Sequence, residues 1–215
     1  MPSWHVSALI AVLLSTEGAL AATPQPPLSP KGPWVLDYGD TQCIAFREYG
    51  SKDTPLTFGI RPAPNGESYE LLVGRPRYGP DFAEEFEGSV DFGSGRITAW
   101  VLHYGSRGKK ISLDQFRISS ADMNQALASK SVMLRTKGGP NVSVALTDMP
   151  ALLKGLQDCT ADLKRYWNMD PPEKDKIATG SKGDLRWLFK DTDYPAEALK
   201  YRQEGSVQFL LLIDE

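Results

Sequence analysis

The residues with the clearest chemical potential are Cys43 and Cys159, the two cysteines of this 215-residue chain. An even cysteine count in an exported protein is typical of a disulfide, which is chemically permitted outside the reducing cytoplasm. The bond would close a loop of more than a hundred residues, and the chain-entropy model gives such a crosslink about 4–5 kcal/mol of stabilisation. We therefore predict a disulfide between the two residues, with two buried free thiols as the alternative.

Catalytic chemistry has few candidate residues. His103 is the one histidine outside the first 21 residues, and Ser106 follows it closely. Nucleophilic catalysis requires a nucleophile, a base and an orienting group in contact, and this spacing does not establish that contact. A single histidine in an apolar strand is more often a part-buried structural residue. We predict no catalytic residue and no enzymatic activity, and a hydrolase that uses His103 is the third-ranked hypothesis.

Binding sites for metals, phosphates and nucleic acids lack their usual patterns. No cluster of histidine, cysteine and carboxylate residues has ligand spacing, so we predict no metal and no cofactor. The acidic run that contains Asp81, Glu84, Glu85 and Glu87 is typical of a solvated loop. Residues 105–110 lack Walker spacing and favour a basic hairpin turn. The formal net charge of −3 and the absence of a cationic cluster predict no nucleic-acid partner.

The N-terminus has the pattern of a secretory signal peptide. An apolar run at residues 6–15 is followed by Ala19-Leu20-Ala21, the small-x-small pattern of a cleavage site. We predict a signal peptide over residues 1–21 and a location in the periplasm or cell envelope. An uncleaved signal that anchors the chain is the alternative, and it is the one membrane contact that we expect. Residues 22–32, with four prolines, are predicted to form a flexible leader.

The elements that must position the cysteines fall in residues 33–170. Up to about residue 118, short apolar runs separated by Gly, Pro and Asn predict an antiparallel sheet or sandwich. One hairpin is expected around Gly93-Ser94-Gly95. A helix is predicted over residues 149–167, with Pro150 in its first turn and an apolar stripe formed by Leu152, Leu153, Leu156, Cys159, Leu163 and Tyr166.

The position of Cys159 on that stripe predicts how the helix packs. The helix should turn Cys159 toward the sheet, so that the disulfide attaches it to the first core strand at Cys43. The polar residues 171–184 then form a linker to the final segment, 185–215. The predicted fold class is α+β: an antiparallel β-rich N-terminal domain with a disulfide-linked C-terminal helix, followed by a helix–strand unit.

The final segment carries a family resemblance. Pro195 suits the first turn of a short helix, Gly205 suits its left-handed end, and Ser206–Ile213 is predicted to be a strand. Tyr194-Pro195-Ala196, Ala198, and Glu204-Gly205-x-Val207 resemble the opening of the TonB C-terminal domain, over about 30 residues of the 215. The preceding architecture more loosely resembles exported energy transducers of the TonB family found in alphaproteobacteria.

The resemblance implies both a fold and a partner. In the family, Tyr-Pro begins a helix, the glycine ends it, and a strand follows, so Tyr194, Pro195, Ala198, Gly205 and Val207 correspond to fold-defining positions. The family domain continues through further strands and a second helix. We therefore expect that the C-terminal domain is truncated at Glu215, or that its strand pairs with the N-terminal domain or with a partner. The family engages an extended receptor segment by strand addition, and its usual glutamine before Tyr-Pro is Asp193 here.

Two functions follow as the leading hypotheses. The first is a periplasmic TonB-like energy transducer or adaptor, which engages a protein partner by strand addition, with an outer-membrane receptor peptide as the implied partner and outer-membrane transport as the implied process. The second is an exported β-domain that binds a ligand or an envelope component without energy coupling. In the second case residues 33–170 should fold alone and retain the binding activity.

Overall fold

The computed structural model describes residues 25–76, 83–106, 110–139, 141–167 and 190–200. The predicted signal peptide, the linker and the predicted strand Ser206–Ile213 lie outside these residues. Within them the chain forms one nine-stranded sheet with the order β1-β2-β3-β4-β7-β6-β5-β8-β9, and neighbouring strands pair antiparallel. The prediction of an antiparallel β-rich domain is confirmed, and helices are a minor part of the described structure.

The elements have the following bounds. The strands are β1 (Val35–Tyr38), β2 (Cys43–Gly50), β3 (Pro55–Pro62), β4 (Ser68–Pro76), β5 (Glu84–Asp91), β6 (Arg96–Ser106), β7 (Ile111–Ser119), β8 (Ser131–Arg135) and β9 (Val142–Ala145). The helices are α1 (Ser120–Met123), α2 (Met149–Tyr166) and α3 (Ala196–Lys200), with 3₁₀ turns at Asn124–Leu127 and Asp191–Asp193.

Glycine forms the tight connection between β5 and β6. Gly93 and Gly95 have φ angles of 95° and 134°, which lie in the region that side chains other than glycine rarely adopt. The two strands then pair from Val90 with Ile97 to Glu84 with His103. The hairpin predicted around residues 93–95 is therefore confirmed.

The sheet curves into a half barrel, and the segment before β1 joins its two ends. Leu28 forms a parallel bridge to Val144 of β9, its N–H donating to the Ser143 carbonyl at 2.8 Å. Three residues later, the Lys31 N–H donates to the Glu48 carbonyl of β2 at 2.9 Å. These bonds differ from the flexible leader expected over residues 22–32, because backbone groups of Leu28 and Lys31 complete the hydrogen bonding of two strands.

The core lies on the face of the sheet that α2 covers, which we call the inner face. Alternate residues of the strands point into it, and they form one cluster with the buried positions of the helix. Leu152, Leu153, Leu156 and Cys159 are buried, as the predicted stripe requires. Tyr166 is 79% exposed, so its assignment to the stripe is wrong: it lies in the last turn of the helix, where its side chain is open to solvent.

Candidate functional site

The two cysteines form the predicted disulfide. Cys43 begins β2, Cys159 lies in α2, their Cα atoms are 6.1 Å apart, and they are 116 positions apart in the sequence. Both residues are buried in the core cluster. The bond attaches α2 to the sheet beside a small surface cleft lined by Gln42, Cys43, Pro62, Pro64, Thr160, Leu163, Lys164 and Trp167. Because the sulfurs are buried, the bond is structural rather than a surface redox centre.

In the final segment, 185–215, the described residues form a short turn and a helix. A 3₁₀ turn over Asp191–Asp193 is closed by the Asp193 carboxylate, which accepts from the Lys190 N–H at 2.8 Å. Tyr194 is extended, and α3 begins at Ala196, directly after Pro195; Ala198 lies within it. Gly205 and Val207 lie outside the described residues.

His103 belongs to a charged cluster on the inner face, which we call the inner cluster. His103 of β6 and Asp114 of β7 are directly paired across the two strands, and their Nδ1 and Oδ1 atoms are 2.5 Å apart. Arg75 of β4 donates through Nη1 to the other carboxylate oxygen of Asp114, also at 2.5 Å. The side chain of Asp114 is 6% exposed, and the side chains of His103 and Arg75 are 15% and 16% exposed. Each oxygen of a buried carboxylate thus has a charged or polar partner, as burial demands.

Ser112 adds an unsatisfied polar group to this cluster. It is paired with Arg75 across β7 and β4, is fully buried, and its Oγ has no hydrogen-bond partner among the described residues. A buried hydroxyl without a partner is unfavourable by about 1–3 kcal/mol, so a water or a small polar ligand would stabilise it. The hydroxyl makes no bond to His103, so within the described residues the cluster lacks the nucleophile–base contact of a hydrolase.

Sequence reasoning missed the inner cluster, although one signal could have indicated it. A hairpin turn at residues 105–110 was predicted, and the strands on both sides do pair, from Ser106 with Ile111 to Trp100 with Arg117. That register alone places His103 opposite Asp114. The contribution of Arg75 depends on the pairing of β4 with β7, which the sequence does not indicate. The interpretation of His103 as a part-buried strand residue agrees with its position in β6.

The acidic run lies in a strand rather than in a loop. Glu84, Glu85 and Glu87 belong to β5, which pairs with β6 along its full length. The loop prediction is therefore wrong for these residues, because strand pairing outweighs the low strand propensity of glutamate; Asp81 lies outside the described residues. Across the described ranges, no group of three or more potential ligands is arranged to hold a metal ion.

Comparison with known proteins gives no family assignment. No protein-family model matches the chain, and no curated protein or solved structure shows significant similarity to it. In the part of the chain that the structure describes, no helix has both the length and the apolar character needed to cross a membrane.

Proposed function

We propose that this chain is an exported envelope protein that recruits another polypeptide by strand addition through its TonB-like C-terminal segment. The observation that carries the proposal is the start of α3 at Ala196, directly after Tyr194 and Pro195, as the family resemblance implies. The predicted strand Ser206–Ile213 would follow after Gly205. The backbone of this strand would supply affinity for the partner polypeptide, and its alternating side chains would supply specificity.

The disulfide supports the part of the proposal that concerns export. A buried bond between residues 116 positions apart persists in an oxidising compartment and is rare in the cytosol. It agrees with the signal-peptide pattern of residues 1–21. In this proposal the β-domain is a rigid, crosslinked body that carries the recruiting segment into the envelope, with outer-membrane transport as the process served.

Peptide binding tests the proposal directly. The full mature chain should bind a synthetic extended peptide copied from an outer-membrane receptor, measured by fluorescence anisotropy. Gln208→Pro should weaken binding by about tenfold or more, because proline removes a strand N–H and cannot join a central ladder. Lys182→Pro, in the predicted linker, is the matched control and should bind normally. A wild-type chain that binds no receptor peptide, or equal binding by the two variants, would contradict the proposal.

A second candidate function is an exported binding domain without energy coupling. The inner cluster favours it, because Arg75, His103 and the unpartnered Ser112 hydroxyl place polar groups together within an apolar interior. This candidate requires the β-domain to fold and to retain the binding activity without the C-terminal segment. A chain of residues 25–170, which extends the predicted domain 33–170 to keep the backbone bonds of Leu28 and Lys31, should give the same thermal transition and ligand affinity as the full chain; loss of either would exclude it.

A further inference from the structure

The outer face of the sheet, opposite to α2, carries a continuous row of five side chains, which we call the outer ladder. Five neighbouring strands contribute one residue each, and each residue is directly paired with the next: Glu87, Trp100, Arg117, Glu70 and Arg61. Since strands lie about 4.7–4.9 Å apart, the row extends about 19 Å across the sheet. Such a row offers a site for an extended ligand that runs across the strands.

Glu70 holds the two guanidinium groups of the outer ladder in place. One of its oxygens accepts from the Arg61 Nε at 2.6 Å. The other accepts from the Gln115 Nε2 at 2.6 Å and from the Arg117 Nη2 at 3.3 Å. Glu70 is only 5% exposed, whereas the side chains of Arg61 and Arg117 are 27% and 46% exposed. Arg61 also donates through Nη1 to the Gln42 Oε1 at 2.8 Å. Both guanidinium groups are therefore held in place while part of each remains at the surface, which reduces the entropy lost on binding.

Trp100 is the aromatic member of the outer ladder. It lies between the core residues Ala99 and Val101 on β6, so its side chain points away from the core, and it is 69% exposed. Its two direct neighbours in the row are Glu87 and Arg117. An exposed indole on a central strand offers a large contact area with little conformational freedom to lose.

The charges of the outer ladder narrow the class of ligand. The two arginines balance the two glutamates, so the row has no formal net charge. Nucleic acid would require a cationic surplus. A hydrophobic protein interface would require a contiguous exposed apolar patch, whereas this row has one exposed ring and four charged residues, and the neighbouring Leu72 on the same face is 7% exposed. A neutral sugar chain has the complementary chemistry, because its C–H faces stack on aromatic rings and its hydroxyls bond carboxylates and guanidinium groups.

We infer that the outer ladder binds a neutral oligosaccharide, with one sugar ring stacked on Trp100 and hydroxyls bonded to Glu87, Arg117 and Arg61. This inference goes beyond the proposed function and does not depend on it, because no residue of the C-terminal segment takes part. A protein that binds glycan through its sheet and another polypeptide through its C-terminus would hold the two together.

Calorimetry on the full mature chain tests this inference with two defined probes, chitohexaose and cellohexaose. At least one should bind, and Trp100→Ala should weaken its binding by about tenfold or more, since a central aromatic contact dominates such sites. Trp100→Phe should retain part of the affinity. Glu70→Gln should also weaken binding, because it frees the two arginines that the carboxylate holds.

Tyr166→Ala is the matched control, because Tyr166 is an aromatic residue that is 79% exposed and belongs to α2, which covers the opposite face of the sheet. It should bind the oligosaccharide like the wild type, and all variants should share the wild-type far-ultraviolet circular dichroism spectrum. Failure of both probes to bind, equal affinity of Trp100→Ala and wild type, or Trp100-dependent binding to a protein alone would overturn the inference. Binding of the receptor peptide, measured on the same samples, distinguishes failure of the oligosaccharide inference from failure of the proposed strand addition.

Discussion

Tyr49 joins the strand next to one end of the sheet to the strand at the other end. Its hydroxyl donates to the carbonyl of Ala145, at the end of β9, at 2.9 Å, and its ring is fully buried. Nearby, Arg47 donates through Nη1 to the Thr147 Oγ1 at 2.6 Å and lies over the Trp34 ring at 5.0 Å. Side chains of β2 thus bond to the end of β9 and to Thr147 just after it. Together with the backbone bonds of Leu28 and Lys31, they hold the half barrel closed.

Removing the Tyr49 hydroxyl should weaken this connection. Tyr49→Phe leaves the Ala145 carbonyl without that donor, and we expect the free energy of unfolding to fall by about 1 kcal/mol. Urea denaturation followed by circular dichroism measures the change. Tyr38→Phe is the control, because Tyr38 is 61% exposed, and it should leave stability unchanged. Equal stability of both variants would show that the Tyr49 bond does not hold the sheet ends together.

The same residue should make the fold sensitive to alkali. Burial raises the pKa of Tyr49 above its ordinary value of 10.0, although the neighbouring Arg47 partly opposes the shift. The unfolded chain therefore ionises at a lower pH than the folded one. The stability that this residue contributes is complete below pH 10.0 and is lost as the pH rises through the folded-state pKa. Urea midpoints measured upward from pH 9 should fall less steeply for Tyr49→Phe than for the wild type; parallel curves would contradict this.

Gly88 marks a place where the inner face has no room for a side chain. A Cβ atom built there would lie 2.5 Å from Val101 Cγ2 and 2.7 Å from the Arg135 carbonyl oxygen. Gly88→Ala should therefore lower the free energy of unfolding by about 1–3 kcal/mol, the usual range for overpacking. Gly32→Ala is the control, with no atom within 4 Å of its Cβ position. A Gly88→Ala chain as stable as the control would mean that the sheet adjusts freely at this point.

At the scale of elements, the sequence predicts α2 and its crosslink well. The three- and four-residue spacing of apolar residues gives the helix as 149–167, against Met149–Tyr166 in the structure, and the burial of Cys159 follows from it. Periodicity does not locate where a helix leaves the surface it packs on, which is why Tyr166 was misplaced. The shorter helix α1 is capped by Ser119, whose hydroxyl accepts from the Asp122 N–H at 3.1 Å.

The disulfide between β2 and α2 should contribute a large share of the stability with which the helix packs on the sheet. The double variant Cys43→Ala with Cys159→Ala should lose about 2–5 kcal/mol, because the crosslink no longer restricts the unfolded chain. Guanidinium denaturation measures this loss. Dithiothreitol should destabilise the wild type by a comparable amount and leave the double variant unchanged, which separates the bond from the packing of the two side chains. A wild type indifferent to reductant would contradict this role.

At the scale of the whole molecule, local signals predict strands and hairpins but not the order of the sheet. The pairing of β4 with β7 and of β5 with β8 joins segments distant in sequence, and no turn residue specifies it. That order brings Arg75 to Asp114 on the inner face, and Glu70 to Arg117 on the outer face. The sequence alone therefore cannot predict either of these two contacts. It does predict the disulfide, because two cysteines can pair in only one way.

The closure of the half barrel is also a property of the whole molecule. Leu28 lies in a proline-rich segment whose composition predicts flexibility, yet it exchanges backbone hydrogen bonds with both Ser143 and Ala145 of β9. An edge strand with unpaired backbone groups favours association with other chains, and this segment covers part of that edge. Composition misleads here because a few backbone bonds to an open edge are enough to order a short segment.

Hydrogen exchange measured by mass spectrometry tests the central claim, recruitment by strand addition, most directly. The chain from residue 22 to Glu215 would be labelled with and without a saturating concentration of the receptor peptide. Strand addition predicts slower exchange in residues 206–213 when the peptide is present, because their backbone N–H groups become hydrogen-bonded, with the disulfide-linked sheet unchanged. Unaltered exchange in residues 206–213 despite bound peptide, or protection confined to residues 33–170, would contradict the account.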